Sequence, residues 1–419
     1  MDRVTRAARA RECPPLSRAS GRVCALIWLA ACHSSAAPAR SDAGRPDGGD
    51  DATRADARPR DADGSAGDQV SPPVDGGAAQ RCALDACALT CDPTDTWFAV
   101  SNGPGTGVGD SEPATPAEVG DGLWHLFVGV NTVTDGGTPY ALVYDSTSSA
   151  PDAPFTLAAH PLNDVADSYD AHGKEAPAYL RADPHTEYVY YSGVGSFDPP
   201  QAAVAALKRV DGGAWTKVGV VSPLAPGEVV QTDPTVAFDP ASGQTVLLYM
   251  SLLTPPGSSE GAQLGIVSRV TTNPELFAAS TQQWITRTTA TPGMVEPARP
   301  ALSRDDVAGV WRIGFDLADY AGTTAAYHTL QRWMTTPIPD ASVLSGSASA
   351  EVLHDGNHAL HPQLHVDGTQ CTAATCPQGA VLQPSKAIYP DGGDVIFYYS
   401  GWSTLPGLQV NGQRCTRAR

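Results

Sequence analysis

A phrase that returns five times constrains this chain more than any other feature. Each copy joins a proline and a few apolar residues, through a small polar turn, to a short strand rich in aromatic residues. The copies start at Pro116, Pro177, Pro234, Pro300 and Pro362, at intervals of 61, 57, 66 and 62 residues. Their strands occupy 124–128, 188–193, 246–249, 311–315 and 395–401. A strand-bearing unit repeated at this length builds radial or stacked all-β architecture, because one unit cannot bury its apolar faces alone. The predicted fold is therefore all-β, a five-bladed β-propeller. Its proline-led strands lie near the axis, where a first-residue proline breaks no ladder bond.

The repeats do not fill the 419 residues. No aromatic residue occurs between Trp28 and Trp97, and 33–80 is mostly Ala, Asp, Gly, Pro, Arg and Ser. Such a stretch buries too little apolar surface to offset its ordering entropy. The expected organisation is a signal peptide at 1–31, a disordered tether at 32–81 and the propeller domain at 82–419. Within the domain, Asp-Gly-Gly at 135–137, 211–213 and 391–393 marks tight turns. The formal net charge of −18 excludes the basic footprint that nucleic-acid binding needs.

The N-terminus reads as an export signal. Six arginines precede a nine-residue apolar run at 23–31. That run is too short for a bilayer span, which takes about 20 residues, but suits a signal peptide. It ends in Leu29-Ala30-Ala31-Cys32, which resembles the lipobox of bacterial lipoproteins. The resemblance implies that Cys32 is acylated and that the protein is held by lipid at the cell envelope. Once Cys13, Cys24 and Cys32 are set aside, Cys82, Cys87, Cys91, Cys371, Cys376 and Cys415 remain. An even set in an exported chain reads as three disulfides. Cys371 and Cys376 are expected to pair locally, and one of Cys82, Cys87 and Cys91 to pair with Cys415. The Cys82, Cys87, Cys91 spacing matches no common zinc site.

Side chains at the start of each inner strand converge on the axis of a propeller, so acids far apart in sequence can meet there. The residues before the five prolines are Thr115, Ala176, Asp233, Arg299 and His361, with Asp110, Glu112, Glu175 and Glu296 nearby. The second phrase is Glu175-Ala176-Pro177, the third Thr232-Asp233-Pro234, the fourth Val295-Glu296-Pro297 and the fifth Gly356-Asn357-His358. In this order the chain resembles the five-bladed glycoside hydrolases of the arabinanase and β-xylosidase kind. Members of that family carry, blade by blade, an Asp-Pro base, an Ala-Pro phrase, an Asp-Pro residue that tunes the acid, a Glu-x-Pro acid and a Gly-x-His segment.

The resemblance implies Glu296 as proton donor and Asp233 as its modulator. The base position falls on Thr115, so Asp110 or Glu112 must supply that carboxylate from a shifted strand start. Arg299, Glu175 and Trp402 are expected to contact substrate, and His358 and His361 to hold an axial Ca2+. Inverting hydrolysis needs two carboxyl groups about 6.5–9.5 Å apart. The expected activity is cleavage of glycosidic bonds in a polysaccharide; without the base, the same scaffold is a carbohydrate- or protein-binding module. No phosphate loop, His-Glu-x-x-His motif or Gly-x-Ser-x-Gly elbow occurs.

Overall fold

The computed structural model describes residues 89–100, 107–133, 139–197, 200–253, 263–286, 296–306, 309–318, 327–340, 351–354, 381–389, 394–402 and 408–417. Cys32, the export signal, the tether, Cys82, Cys87, Cys371, Cys376, Pro362, His358 and His361 lie outside them. Within these residues the protein is almost wholly β. Strand β1 (Leu89–Phe98) comes first, and the next strands form four antiparallel units in sequence order. The first unit holds β2 (Gly107–Ala114), β3 (Trp124–Val133), β4 (Pro139–Ser148) and β5 (Thr156–Leu157). The second holds β6 (Gly173–Asp183), β7 (Thr186–Phe197), β8 (Pro200–Val210) and β9 (Thr216–Ser222). The third holds β10 (Glu228–Asp239), β11 (Gln244–Leu253), β12 (Gln263–Thr271) and β13 (Gln283–Thr286). The fourth holds β14 (Glu296–Asp305), β15 (Val310–Ala318), β16 (Tyr327–Met334) and β17 (Glu351–His354). In the last, β18 (Val381–Pro384), β19 (Asp394–Trp402) and β20 (Leu408–Arg417) are completed by β1.

Units one to three join into one twelve-stranded sheet only through single parallel bridges, Ala141 to Gly173 and Ala202 to Val230. No sheet closes on itself among the described residues. The first strands nevertheless touch in sequence, β2 with β6, β6 with β10, β10 with β14 and β14 with β18, and β18 returns to β2. These inner strands thus ring a common axis.

All five aromatic strands of the repeat fall in the second strand of a unit, β3, β7, β11, β15 and β19. The cause is burial on both faces, which favours near-continuous apolar runs. On β7, Tyr188 and Tyr190 pack toward Leu247 and Tyr249 of the third unit, while Val189 and Tyr191 pack toward Phe127 and Val143 of the first. On β11, Val246 and Leu248 reverse the direction and meet Leu302, Ile313 and Phe315 of the fourth unit. Another seam joins the last unit to the first, with Ile396, Tyr398 and Val410 against Leu126, Val128 and Phe155. The period-2 alternation of a strand thus feeds two seams at once. Trp97 is partly buried in that seam, and a Cβ on Gly412 would run into its ring.

The first copy of the repeat is placed differently from the sequence reading. Pro116 does not lead an inner strand. It opens a one-turn helix, α1 (Pro116–Val119), with Thr115 as N-cap. The Thr115 hydroxyl accepts from the Glu118 amide at 3.1 Å, and the Glu118 carboxylate accepts from the Thr115 amide at 2.7 Å. This reciprocal capping explains the local sequence better than a strand start does.

Cys415 is disulfide-bonded, and Cys91 is its register partner across β1 and β20. A link there ties the two ends of the domain. A non-reducing peptide map is expected to contain the Cys91–Cys415 pair, and Cys415→Ser to lower the unfolding free energy by about 2–5 kcal/mol in denaturant titration.

His125 on β3 is buried with a carboxylate on each ring nitrogen, Asp145 at 3.0 Å from Nδ1 and Asp121 at 2.9 Å from Nε2. Burial opposes the charged ring, but hydrogen bonds and charge from Asp145 and Asp121 outweigh it and raise the pKa. The resulting stability is present below the usual histidine pKa and is lost as pH rises through the folded value. Denaturation of wild type and His125→Gln at pH 6 and pH 9 is expected to show the stability gap between them shrinking at the higher pH.

Candidate active site

The site begins with a backbone irregularity. Asp110, Ala176, Asp233 and Arg299 have φ of 45°, 49°, 50° and 50°. Left-handed backbone in non-glycine residues is sterically costly and clusters at functional sites. Each of the four sits at a break in the ladder between the first and second strands of its unit. The register shifts between Gly109 and Ser111, Glu175 and Ala178, Thr232 and Thr235, and Ala298 and Ala301. These are β-bulges, which bend a strand and re-aim a side chain. Pro177, Pro234 and Pro300 follow three of them, as bulges accommodate a residue without a ladder N–H. In the first unit Ser111 takes that place. The first-unit member of the series is therefore Asp110, not Thr115, and an aspartate occupies the position that alignment by proline assigns to a threonine.

The four bulges bring their side chains together. A pocket of about 30 Å³ is lined by Asp110, Ser111, Ala176, Asp233, Arg299 and Glu112, with the neighbouring prolines. Asp233 is buried at this level, and Arg299 is only 6% exposed. Asp110 is half-buried as a residue, but its carboxyl is withdrawn from water. Burial raises the Asp110 pKa well above the usual carboxylate range, and the charges of Asp233 and Glu175 raise it further. The Arg299 guanidinium and the Ala176 backbone N–H, which donates to the carboxyl, pull the other way. Asp233 is held from its own and the neighbouring unit. Its amide donates to Ser192 Oγ at 2.9 Å, Ser192 donates to Thr232 Oγ1 at 3.2 Å, and Thr232 donates to the Asp233 carboxylate at 3.2 Å. Glu175, immediately before the left-handed Ala176, keeps part of its surface exposed. Burial of its carboxyl and then the charge of Asp233 push its pKa up to about 7.

The other expected residues are placed as follows. Glu112 lines the pocket, but its carboxyl lies 3.8 Å from Lys386, which also pairs with Glu118 at 3.1 Å. Burial pushes the Glu112 pKa up to about 8 against the pull of Lys386. Glu296 is the first residue of β14, opposite Ala318 and three residues before Arg299. The residue immediately before the bulge in that unit is Ala298. Trp402 ends β19, opposite Leu408. Among the described residues no group of three or more His, Cys, Asp or Glu side chains is arranged to hold a metal ion. Farther along the same inner strands, a cavity of about 490 Å³ is lined by residues that include Glu118, Arg181, Phe238, Arg304 and Lys386, one from each unit. Alignment by proline found Ala176, Asp233 and Arg299 and misplaced only the first-unit member, for which the telling signal is spacing. Ala176, Asp233 and Arg299 precede their aromatic strands by 12, 13 and 12 residues and Asp110 by 14, whereas Thr115 precedes its strand by 9.

With this geometry in hand, comparison with solved structures gives the fold. One match is a structure named "Glycoside hydrolase", with TM-score 0.52 and 10% identity over 78% of this chain and 92% of that one. Another, a complex of BT0996 with RGII, has TM-score 0.53 and 11% identity over the same shares. A native arabinanase from Bacillus subtilis matches at TM-score 0.47 and 14% identity, over 75% of this chain and 95% of that one. The domain has a glycoside-hydrolase-like propeller fold. No protein-family model matches the chain, and neither does any curated protein sequence.

The electrostatics are testable without a substrate. Asp233→Asn removes the charge that faces Glu175. Carboxyl-carbon NMR titration is expected to show Glu175 falling from about 7 toward the ordinary glutamate range, with Asp110 shifting in the same direction.

Proposed function

We propose that this protein is a five-bladed propeller that hydrolyses glycosidic bonds of a polysaccharide by an inverting, two-carboxylate mechanism. The observation that carries the reading is the convergence of Asp110 and Asp233, from the first and third units, on one pocket with Arg299, with Glu175 of the second unit near enough to act on both by charge. Inverting hydrolysis needs a carboxylate to activate water and a carboxylic acid to protonate the leaving oxygen. Asp110 is the base in this reading. Burial and the charges of Asp233 and Glu175 raise its proton affinity, and Arg299 and the Ala176 amide oppose them. Asp233 raises the proton affinity of its neighbours by like-charge repulsion. The named glycoside hydrolase and the complex with RGII, though similar at the level of fold alone, support a polysaccharide as the ligand class.

In the same reading, Cys32 is lipidated, the domain stands off the cell envelope on its tether, and His358 and His361 hold an axial Ca2+. A second reading is binding without turnover, and Arg299 favours it. A guanidinium among the carboxylates holds charge ionised and suits a hydrogen-bonded sugar as well as a reacting one.

A screen of aryl glycosides and plant and microbial polysaccharides separates the two. The hydrolytic reading expects turnover by the wild type and a loss of about 10²–10⁴-fold in kcat for Asp110→Asn. Saturable binding of a polysaccharide with no release of reducing ends would instead select the binding module.

A further inference from the structure

We propose that the cavity farther along the inner strands is a second binding site, separate from the axial pocket, and that it takes a uronate unit of an acidic saccharide. The proposal does not depend on turnover at the axial pocket. The cavity draws its walls from all five units and holds about 490 Å³, a size that admits a small ligand. Arg181, Phe238 and Arg304 line it, each five positions beyond the bulge residue of its own strand, Ala176, Asp233 or Arg299. Tyr179, Val236 and Leu302 line it three positions beyond those bulges. At about 3.3 Å per residue, the site lies roughly 10–17 Å along the strands from the bulges. No residue lines both places.

Arg181 sets the charge that the site prefers. The lining carries three cations, Arg181, Arg304 and Lys386, against two carboxylates, Glu118 and Asp306. Lys386 pairs with Glu118 at 3.1 Å, and Arg304 pairs with Asp306 at 2.7 Å while lying over the Trp311 ring. Arg181 bonds no carboxylate among the described residues. Its Nε, Nη1 and Nη2 donate to the carbonyls of Asp183, Glu118 and Pro184, at 3.3, 2.9 and 2.6 Å. Glu187 feels its charge but is held by Arg209 and Tyr179. Gly120, which closes α1, makes room for the guanidinium, since a Cβ there would run into Nη1. The carbonyls orient the cation without neutralising it. Of its five N–H groups, two remain for a ligand. A fork fixed in this way loses little further freedom on binding.

One uncompensated cation matches one negative charge. A phosphate brings close to two, and the second would face Glu118 and Asp306. A carboxylate brings one and fits the guanidinium fork. Much of the remaining wall is apolar. Val236 and Leu302 are buried there, whereas Phe238 is 48% exposed and leaves an aromatic face open. A ring with one apolar face and one carboxylate satisfies both halves of the site, and that description is a uronate. Walls drawn from five units around one axis make a well, not the long groove or free sheet edge that peptides use.

Calorimetric titration of the full chain tests the assignment, with uronate disaccharides, their neutral counterparts, inorganic phosphate and a glutamate peptide as probes. A uronate disaccharide is expected to bind saturably, with the neutral sugar weaker by about 10–100-fold, as loss of one charge-assisted pair gives. Arg181→Gln is expected to lower uronate affinity by the same factor and leave the neutral sugar unchanged. Asp110→Asn, in the axial pocket, is expected to bind the uronate within about threefold of wild type, as separate sites should. Should Arg181→Gln fail to fold by circular dichroism, Phe238→Asp at the exposed position decides. Its added anion must weaken the uronate more than the neutral sugar, and equal weakening rejects the site. Equal affinity for charged and neutral sugars, preference for phosphate or the peptide, loss of uronate binding in Asp110→Asn, or no binding of any uronate overturns the proposal. Turnover is read separately, by release of reducing ends, and its absence leaves this site standing.

Discussion

The site depends on one distortion made four times. An inner strand that ran regularly through the axis would alternate its side chains between the two neighbouring seams and present few of them to the centre. One extra residue at the same level of β2, β6, β10 and β14 breaks that alternation. The residue left over turns left-handed and aims at the axis instead of a seam. Four non-glycine residues in that conformation each cost on the order of 1–3 kcal/mol, so the surrounding structure must over-determine them. It does so with aromatic residues opposite three of the bulges: Tyr191, Tyr249 and Phe315, all fully buried in seams.

That division of labour explains what the sequence made legible. Seam residues obey a pattern that repeats because every unit faces the same packing problem, so β3, β7, β11, β15 and β19 stand out as aromatic runs. Proline marks three bulges because a bulged residue can lose its N–H without cost to the ladder. It is permitted there and not required, and the first unit uses Ser111. A nearby proline with a different job, the first residue of a capped helical turn, then captures the alignment and moves the series from Asp110 to Thr115. Proline reports a relaxed constraint, whereas the distance from bulge to seam strand reports the geometry itself.

The acids at the centre raise a second constraint. Asp110, Glu175 and Asp233 share a desolvated level with one guanidinium, and three ionised carboxylates there would repel. Burial of an uncompensated charge is met by neutralisation, so the cluster retains protons to a pH at which isolated carboxylates have lost them. Protons held this way belong to the cluster as a whole and redistribute when any member changes. Glu112 shows the contrast. It is also buried and holds its proton to about 8, yet its neighbours are Lys386 and Glu118, which join the last unit to the first helical turn. Glu112 lines the same pocket, but its carboxyl is turned to a lysine and not to acids from other units.

Arg299 gives that level its polarity. Without it, only the Ala176 amide would oppose the burial and repulsion that raise Asp110. Its charge acts on Asp110, from a bulge equivalent to the one that presents Asp110 itself. The same backbone device therefore supplies two acids and a cation, from the first, third and fourth units. The second unit spends its bulge on Ala176, whose amide donates to Asp110 and whose small side chain adds no charge to the pocket. Asymmetry in a site built from repeats thus comes from which side chain each unit puts on a shared backbone feature.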